Sequence, residues 1–167
     1  MQRKQFLQTV SFGASGLLLP AIPFAQSQQA PDPLPSALVK EFVIAGHSNF
    51  DKVKQLFAET PSLLYATHDW GKGDFETALE GAGHVGNKEI AGWLIEKGAR
   101  TNIFVLTMLG KTAIVKNFIE TFPSYINAKG PHGFTLLHHA QKGGEASKEL
   151  LEFISDKGLK ETRIALY

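Results

Sequence analysis

The feature that most constrains this chain is a short unit, unable to fold by itself, that occurs more than once. Residues 77 to 102 read as a helix opened by Thr77, a turn at Gly86, an apolar helix carrying Ile90, Trp93 and Leu94, and a Gly98-Ala99 ending. A helix-turn-helix of this size cannot bury its own apolar face and needs neighbours of the same kind. The opening recurs 58 positions on, where Thr135, Leu137, His138 and Ala140 lead to Leu150, Phe153, Ile154 and Gly158. Upstream, Ala45-Gly46-His47 followed by Val53, Leu56 and Phe57 matches Ala82-Gly83-His84 followed by Ile90, Trp93 and Leu94 at a shift of 37. Between the two better copies, Gly110, Ile114, Phe118 and Ile119 match Gly86, Ile90, Leu94 and Ile95 at a shift of only 24, so the third unit is shortened. The pair Glu59-Thr60-Pro61-Ser62 and Glu120-Thr121-Phe122-Pro123-Ser124 repeats in the same phase.

These units predict an all-α fold of about four helix pairs. Inner helices are expected over 36–46, from Thr77, over 103–109 and over 135–142, with outer partners over 51–57, 87–97, 111–122 and 147–157. Thr77 and Glu80 have the spacing of a capping box. The loop from Tyr65 to Glu76 is longer than its counterpart before Thr135 and carries Trp70 on a Gly-rich tip.

The order Thr, Leu, Ala, then Gly, then a Leu-rich helix closing on Gly-Ala resembles the ankyrin repeat, with Ala78 and Glu80 standing where that family has Pro and His. The resemblance implies an α-solenoid of about four repeats. It also implies a protein–protein interaction module that is not catalytic and holds its partner on the inner helices and loop tips. By position the partner-binding residues are Trp70, Lys72, Asp74, Phe104, His132 and Phe134. In the family the place of His138 belongs to a structural histidine near the repeat tip.

The first residues follow a different logic. Arg3-Lys4, an apolar stretch from Phe6 to Leu19 and small residues around Ala25 read as an export signal over 1–27. Arg3-Lys4-Gln5-Phe6-Leu7 resembles the twin-arginine signal, with Lys4 in place of the second Arg. The stretch falls short of the roughly 20 residues that span a bilayer, so no stable membrane insertion is expected once the signal is removed. A spacer over 28–34 and an ankyrin-repeat domain over 35–167 complete the division, and the expected location is periplasmic. With no Cys in the chain, a protein outside the cytoplasm is held by burial between repeats. A net charge of +1 gives no general attraction to nucleic acid.

Three chemical readings weigh less. Gly81-Ala82-Gly83-His84-Val85-Gly86 fits Gly-x-Gly-x-x-Gly, but that motif needs a strand before it, and none is expected; the glycines suit close packing and a tight turn, so no cofactor is assigned. His132, His138 and His139, with His68, Asp69 and Asp74 from the other long loop, suggest a metal. Adjacent His138 and His139 project about 100° apart on a helix, and no His-x-x-x-His pair sets two ligands on one face. No metal is therefore assigned. A small-molecule or metal-binding protein, or an enzyme, using the His68 to Phe75 loop against His132 stands as the alternative. A catalytic set within Asp69, Asp74, Glu76 and His68 is disfavoured, because loop carboxylates are normally solvated.

Overall fold

A computed structural model describes residues 31–167. The expected export signal, and the spacer up to residue 30, lie outside the described residues. From Pro33 onward the chain forms one compact unit, and it is mainly α-helical.

The helices come in pairs: α1 (Ser36–Ser48) with α2 (Phe50–Glu59), α3 (Ala78–Val85) with α4 (Lys88–Glu96), α5 (Ile103–Met108) with α6 (Thr112–Thr121), and α7 (Leu136–Gly143) with α8 (Lys148–Asp156). The expected pairs are all present, with ends shifted by a few residues. The first members pack in a row, α1 on α3, α3 on α5 and α5 on α7. The core runs along that row: Phe42, Val43, Val53 and Leu56 in the first pair, Leu79, Ala82, Ile90 and Leu94 in the second, and Val115, Ile119, Leu136, Leu150 and Ile154 in the last two. Trp93 packs edge-on to Phe50 and Phe57 at the rim of the first cluster.

Local chemistry sets the helix starts. Thr77 Oγ1 accepts the Glu80 amide while Glu80 Oε2 accepts the Thr77 amide, so the capping box forms. Asn87 caps α4 through the Ile90 amide, and Thr135 caps α7. Gly86 ends α3 at φ 87°, where a Cβ would lie 2.8 Å from the Lys142 carbonyl oxygen. That close approach joins the ends of α3 and α7, which touch directly past the six-residue α5.

The connections between pairs differ in length and in form. After α2 a 3-10 turn leads into a hairpin of β1 (His68–Asp69) and β2 (Phe75–Glu76), with His68 opposite Glu76 and Asp69 opposite Phe75. A shorter loop, 128–135, with a 3-10 turn at Pro131–Gly133, precedes α7. Between α4 and α5 there is no hairpin: Asn102 turns straight into α5 by accepting the Phe104 and Val105 amides, and its Nδ2 donates to Glu80 Oε1. The first and third connections therefore meet across the gap, with the His132 amide donating to Asp74 Oδ1 at 2.8 Å.

One expectation needs correction. A two-residue strand, β2, does precede α3. The glycines nevertheless lie within α3 and at its end rather than on a strand-to-helix turn. Cβ atoms there would meet His47 at Gly81 and Val105 at Gly83, so close packing is their physical role.

Candidate metal centre

Glu76, the last residue of β2, is fully buried. A buried carboxylate is costly unless its oxygens are matched by donors or positive charge. The Trp70 indole Nε1 donates to Oε2 at 2.8 Å. The rest of its surroundings are three imidazoles, each presenting Nε2. His84 Nε2 lies 2.8 Å from Oε1, His47 Nε2 3.6 Å from Oε1, and His132 Nε2 3.5 Å from Oε2. The His47 and His84 Nε2 atoms are 3.0 Å apart, and one donor atom from each of the four residues falls within 4.8 Å of all the others.

The fold explains how they meet. His47 and His84 hold the same position in the last turns of α1 and α3, which pack side by side, so the 37-residue shift becomes a contact between rings. Gly81 makes room, since a Cβ on it would lie 2.8 Å from His47 Cε1. His132 comes from the loop before α7 and reaches the first hairpin because no hairpin stands between. Its backbone is left-handed at φ 59°, a conformation that costs an L-residue with a side chain about 1–2 kcal/mol. The position nonetheless carries an imidazole.

Two of the three imidazoles have their tautomer fixed by geometry. His47 Nδ1 faces the Val43 carbonyl at 3.0 Å and His132 Nδ1 faces Asp74 Oδ2 at 2.7 Å. A carbonyl and a carboxylate accept only, so each Nδ1 carries a hydrogen, and Nε2 is the atom that each neutral ring has left for a metal. Backbone carbonyls and carboxylates behind imidazoles are the usual outer partners of metal-binding histidines, fixing ring orientation and raising basicity.

The charge on Glu76 is consistent with this. Burial pushes its carboxyl up, but the His84 contact, the charges of His47 and His84 and the Trp70 hydrogen bond together hold it below its ordinary value. It is a carboxylate at neutral pH. Its Oε1 nonetheless accepts no well-aligned hydrogen bond. His84 Nε2 is close enough, but it is aligned with His47 Nε2 instead. One proton on His84 can serve only one neighbour, whereas a cation among the four donors would serve all of them.

Bonds of 2.0–2.1 Å from a tetrahedral ion place its ligand atoms about 3.3–3.4 Å apart. The separations of 2.8, 3.0 and 3.6 Å among His47, His84 and Glu76 Oε1 straddle that value, and with His132, 3.5 Å from the other carboxylate oxygen, the four donors lie within 4.8 Å of one another. Seating an ion requires the wider pairs to close onto it by side-chain rotation, and the His47 and His132 side chains, 24% and 23% exposed, give it a route from solvent.

Of the six expected partner-binding residues, the fold gathers four around this cluster. His132 is a donor. Asp74, buried, orients His132 through both its amide and its Nδ1. Trp70 binds Glu76 and meets the His132 ring edge-on. Phe134 stacks between His84 and His138, with centroids at 5.0 and 4.0 Å. Lys72 stays at the hairpin tip with its Nζ over the Tyr167 ring. Phe104 is buried against His139 and offers little surface to a partner.

The other polar candidates are engaged elsewhere. His68 packs edge-on to Trp70. His138 Nε2 pairs with the His84 carbonyl, and burial pushes its pKa down. His139 donates from Nδ1 to the Thr135 carbonyl and is driven by burial down to about 4. Glu80, raised by burial, serves the α3 cap. Reading by sequence proximity missed Glu76 as a buried donor and missed His47 and His84 altogether. The signal for the two histidines was present in the repeated Ala-Gly-His, since the helices that carry the two copies, α1 and α3, pack side by side.

Compared with models of protein families and with the sequences of curated proteins, the chain matches none.

Proposed function

We propose that the chain is an exported protein of ankyrin-like repeats that holds one divalent transition-metal ion between His47, Glu76, His84 and His132. The observation that carries this reading is the buried Glu76 Oε1, unmatched by any aligned donor, amid three imidazole Nε2 atoms. Three imidazoles and one carboxylate suit zinc, copper or nickel, while calcium and magnesium prefer shells of oxygen. Four protein donors fill a tetrahedral shell, which favours a binding role over a catalytic one. A donor set without thiolates also suits a compartment outside the cytoplasm, where free thiols oxidise. The helix pairs and their repeated caps support the ankyrin-like reading.

The test is titration of the chelator-treated full chain with zinc, followed by calorimetry and thermal melting. One ion per chain should bind, and at about 100 times the dissociation constant it should stabilise the fold by about 2.7 kcal/mol. For a unit of this size that raises Tm by about 5–10 °C. Glu76→Gln and His47→Asn should abolish most of the shift. Absence of heat and of any Tm change with zinc, copper and nickel would reject the metal reading.

A second reading, a module that binds another protein, is favoured by the exposed rings beside the site: Phe75 and Tyr167 are 56% and 75% exposed. It would take first place if no metal bound.

A further inference from the structure

The segment after α8 runs back to the loop that supplies His132, and nearly every polar contact it makes is to that loop. The Thr135 amide donates to the Thr162 carbonyl at 3.1 Å, and the Ile164 amide to the Gly133 carbonyl at 2.8 Å. Arg163 Nε donates to the His132 carbonyl at 2.8 Å, and Lys129 Nζ to the Ala165 carbonyl at 2.7 Å. Phe134 and Arg163 form an antiparallel bridge, and the Arg163 guanidinium lies over the Phe134 ring. Burial along 161–167 alternates between exposed and half-buried, so little apolar surface holds the segment down. Its seat is the backbone of residues 129–135.

That seat is itself bent. His132 sits left-handed, and its amide and Nδ1 are hydrogen-bonded to Asp74 of the first hairpin, whose Trp70 ring and Glu76 carboxylate also face its imidazole. An ion bound to His132 Nε2 and to the three donors from α1, β2 and α3 would add a stronger tie at the same residue. Its effect would pass to the segment through the adjoining carbonyls of His132 and Gly133.

We infer that the metal centre is coupled to the C-terminal segment: a loaded site fixes residues 162–164 onto the loop, and an empty site lets them lift away. The inference rests on the metal reading above. Release would bare the backbone of Gly133 and Thr135 and open the cavity of about 330 Å³ lined by Asp74, His132, Arg163 and Tyr167. Metal supply would thereby control an edge able to pair with another extended segment.

Amide hydrogen exchange on the full chain, with saturating zinc and with chelator, tests this. The Thr135 and Ile164 amides should exchange about tenfold or more slowly with zinc, while the Thr60 amide at the end of α2, which also opens locally, should change far less. Coupling is reciprocal, so Arg163→Ala, which removes the bond to the His132 carbonyl but no ligand atom, should weaken zinc binding several-fold. Stoichiometric zinc binding with unchanged exchange at Thr135 and Ile164, and with full affinity in Arg163→Ala, would overturn the coupling and leave the metal centre standing. Failure of zinc to bind at all would overturn both.

Discussion

Gly81→Ala separates the packing of the fold from the geometry of the cluster. Gly81 lies inside α3, where replacing Gly by Ala favours the helix by about 0.5–1 kcal/mol. The new Cβ, however, would stand 2.8 Å from His47 Cε1 and 2.9 Å from its Nδ1. Carbon contacts settle near 3.5 Å, so the ring must retreat by about 0.7 Å. Forcing such a shift costs about 1–3 kcal/mol, and the two effects leave the metal-free fold within about 2 kcal/mol of the native one. The ion is far less tolerant, because ligand distances hold to about ±0.2 Å. A displacement several times that size removes His47 as an effective donor, and zinc affinity should fall at least about tenfold, the lower end of what disturbing a ligand's support costs. Competition against a chromophoric chelator gives the affinity ratio, and urea unfolding in chelator gives the stability. Native zinc affinity in a folded Gly81→Ala chain would refute the assignment of His47.

Two further outcomes concern buried groups. His139 stays neutral in the native chain down to about pH 4, whereas an unfolded histidine takes its proton near 6.5. Its contribution is therefore whole above that value and declines as pH falls toward 4. Between pH 7.5 and 4.5 the loss is about 2–3 kcal/mol, and urea unfolding in chelator should show His139→Leu with a correspondingly flatter pH dependence. Trp70→Phe keeps the ring bulk but removes the donor to buried Glu76 Oε2, and in chelator it should cost about 1–3 kcal/mol. Equal urea midpoints for the two chains would show that the indole bond contributes nothing.

The sequence carried the elements more clearly than the centre, for a physical reason. Thr77 with Glu80, Gly86, and the spacing of Ile90 with Leu94 act within one helix or one turn, so their spacing exposes them. The cluster is assembled from α1, β2, α3 and a loop 58 residues beyond Asp74. Its parts looked ordinary singly. His47 and His84 marked turns, Glu76 stood before a helix cap as any solvated loop acid does, and His132 drew notice only beside the unrelated His138 and His139. What linked them was partly visible: a repeat shift of 37 sets equal positions side by side, and the missing residues of the third unit open the gap that lets Asp74 meet His132. The burial of Glu76 had no sequence signal, because it depends on Trp70 folding back over it.

The bare connection between α4 and α5 makes this array indivisible. Stacks of like units can ordinarily be shortened or lengthened at will, since each touches only its neighbours. Here a cut after α4 would leave Glu76 and two imidazoles on one piece and His132 on the other. A spare unit inserted at the same place, or a hairpin grafted into 99–102, would hold the halves of the cluster apart while every helix stayed intact. The number of units is thus fixed by a contact that skips one of them.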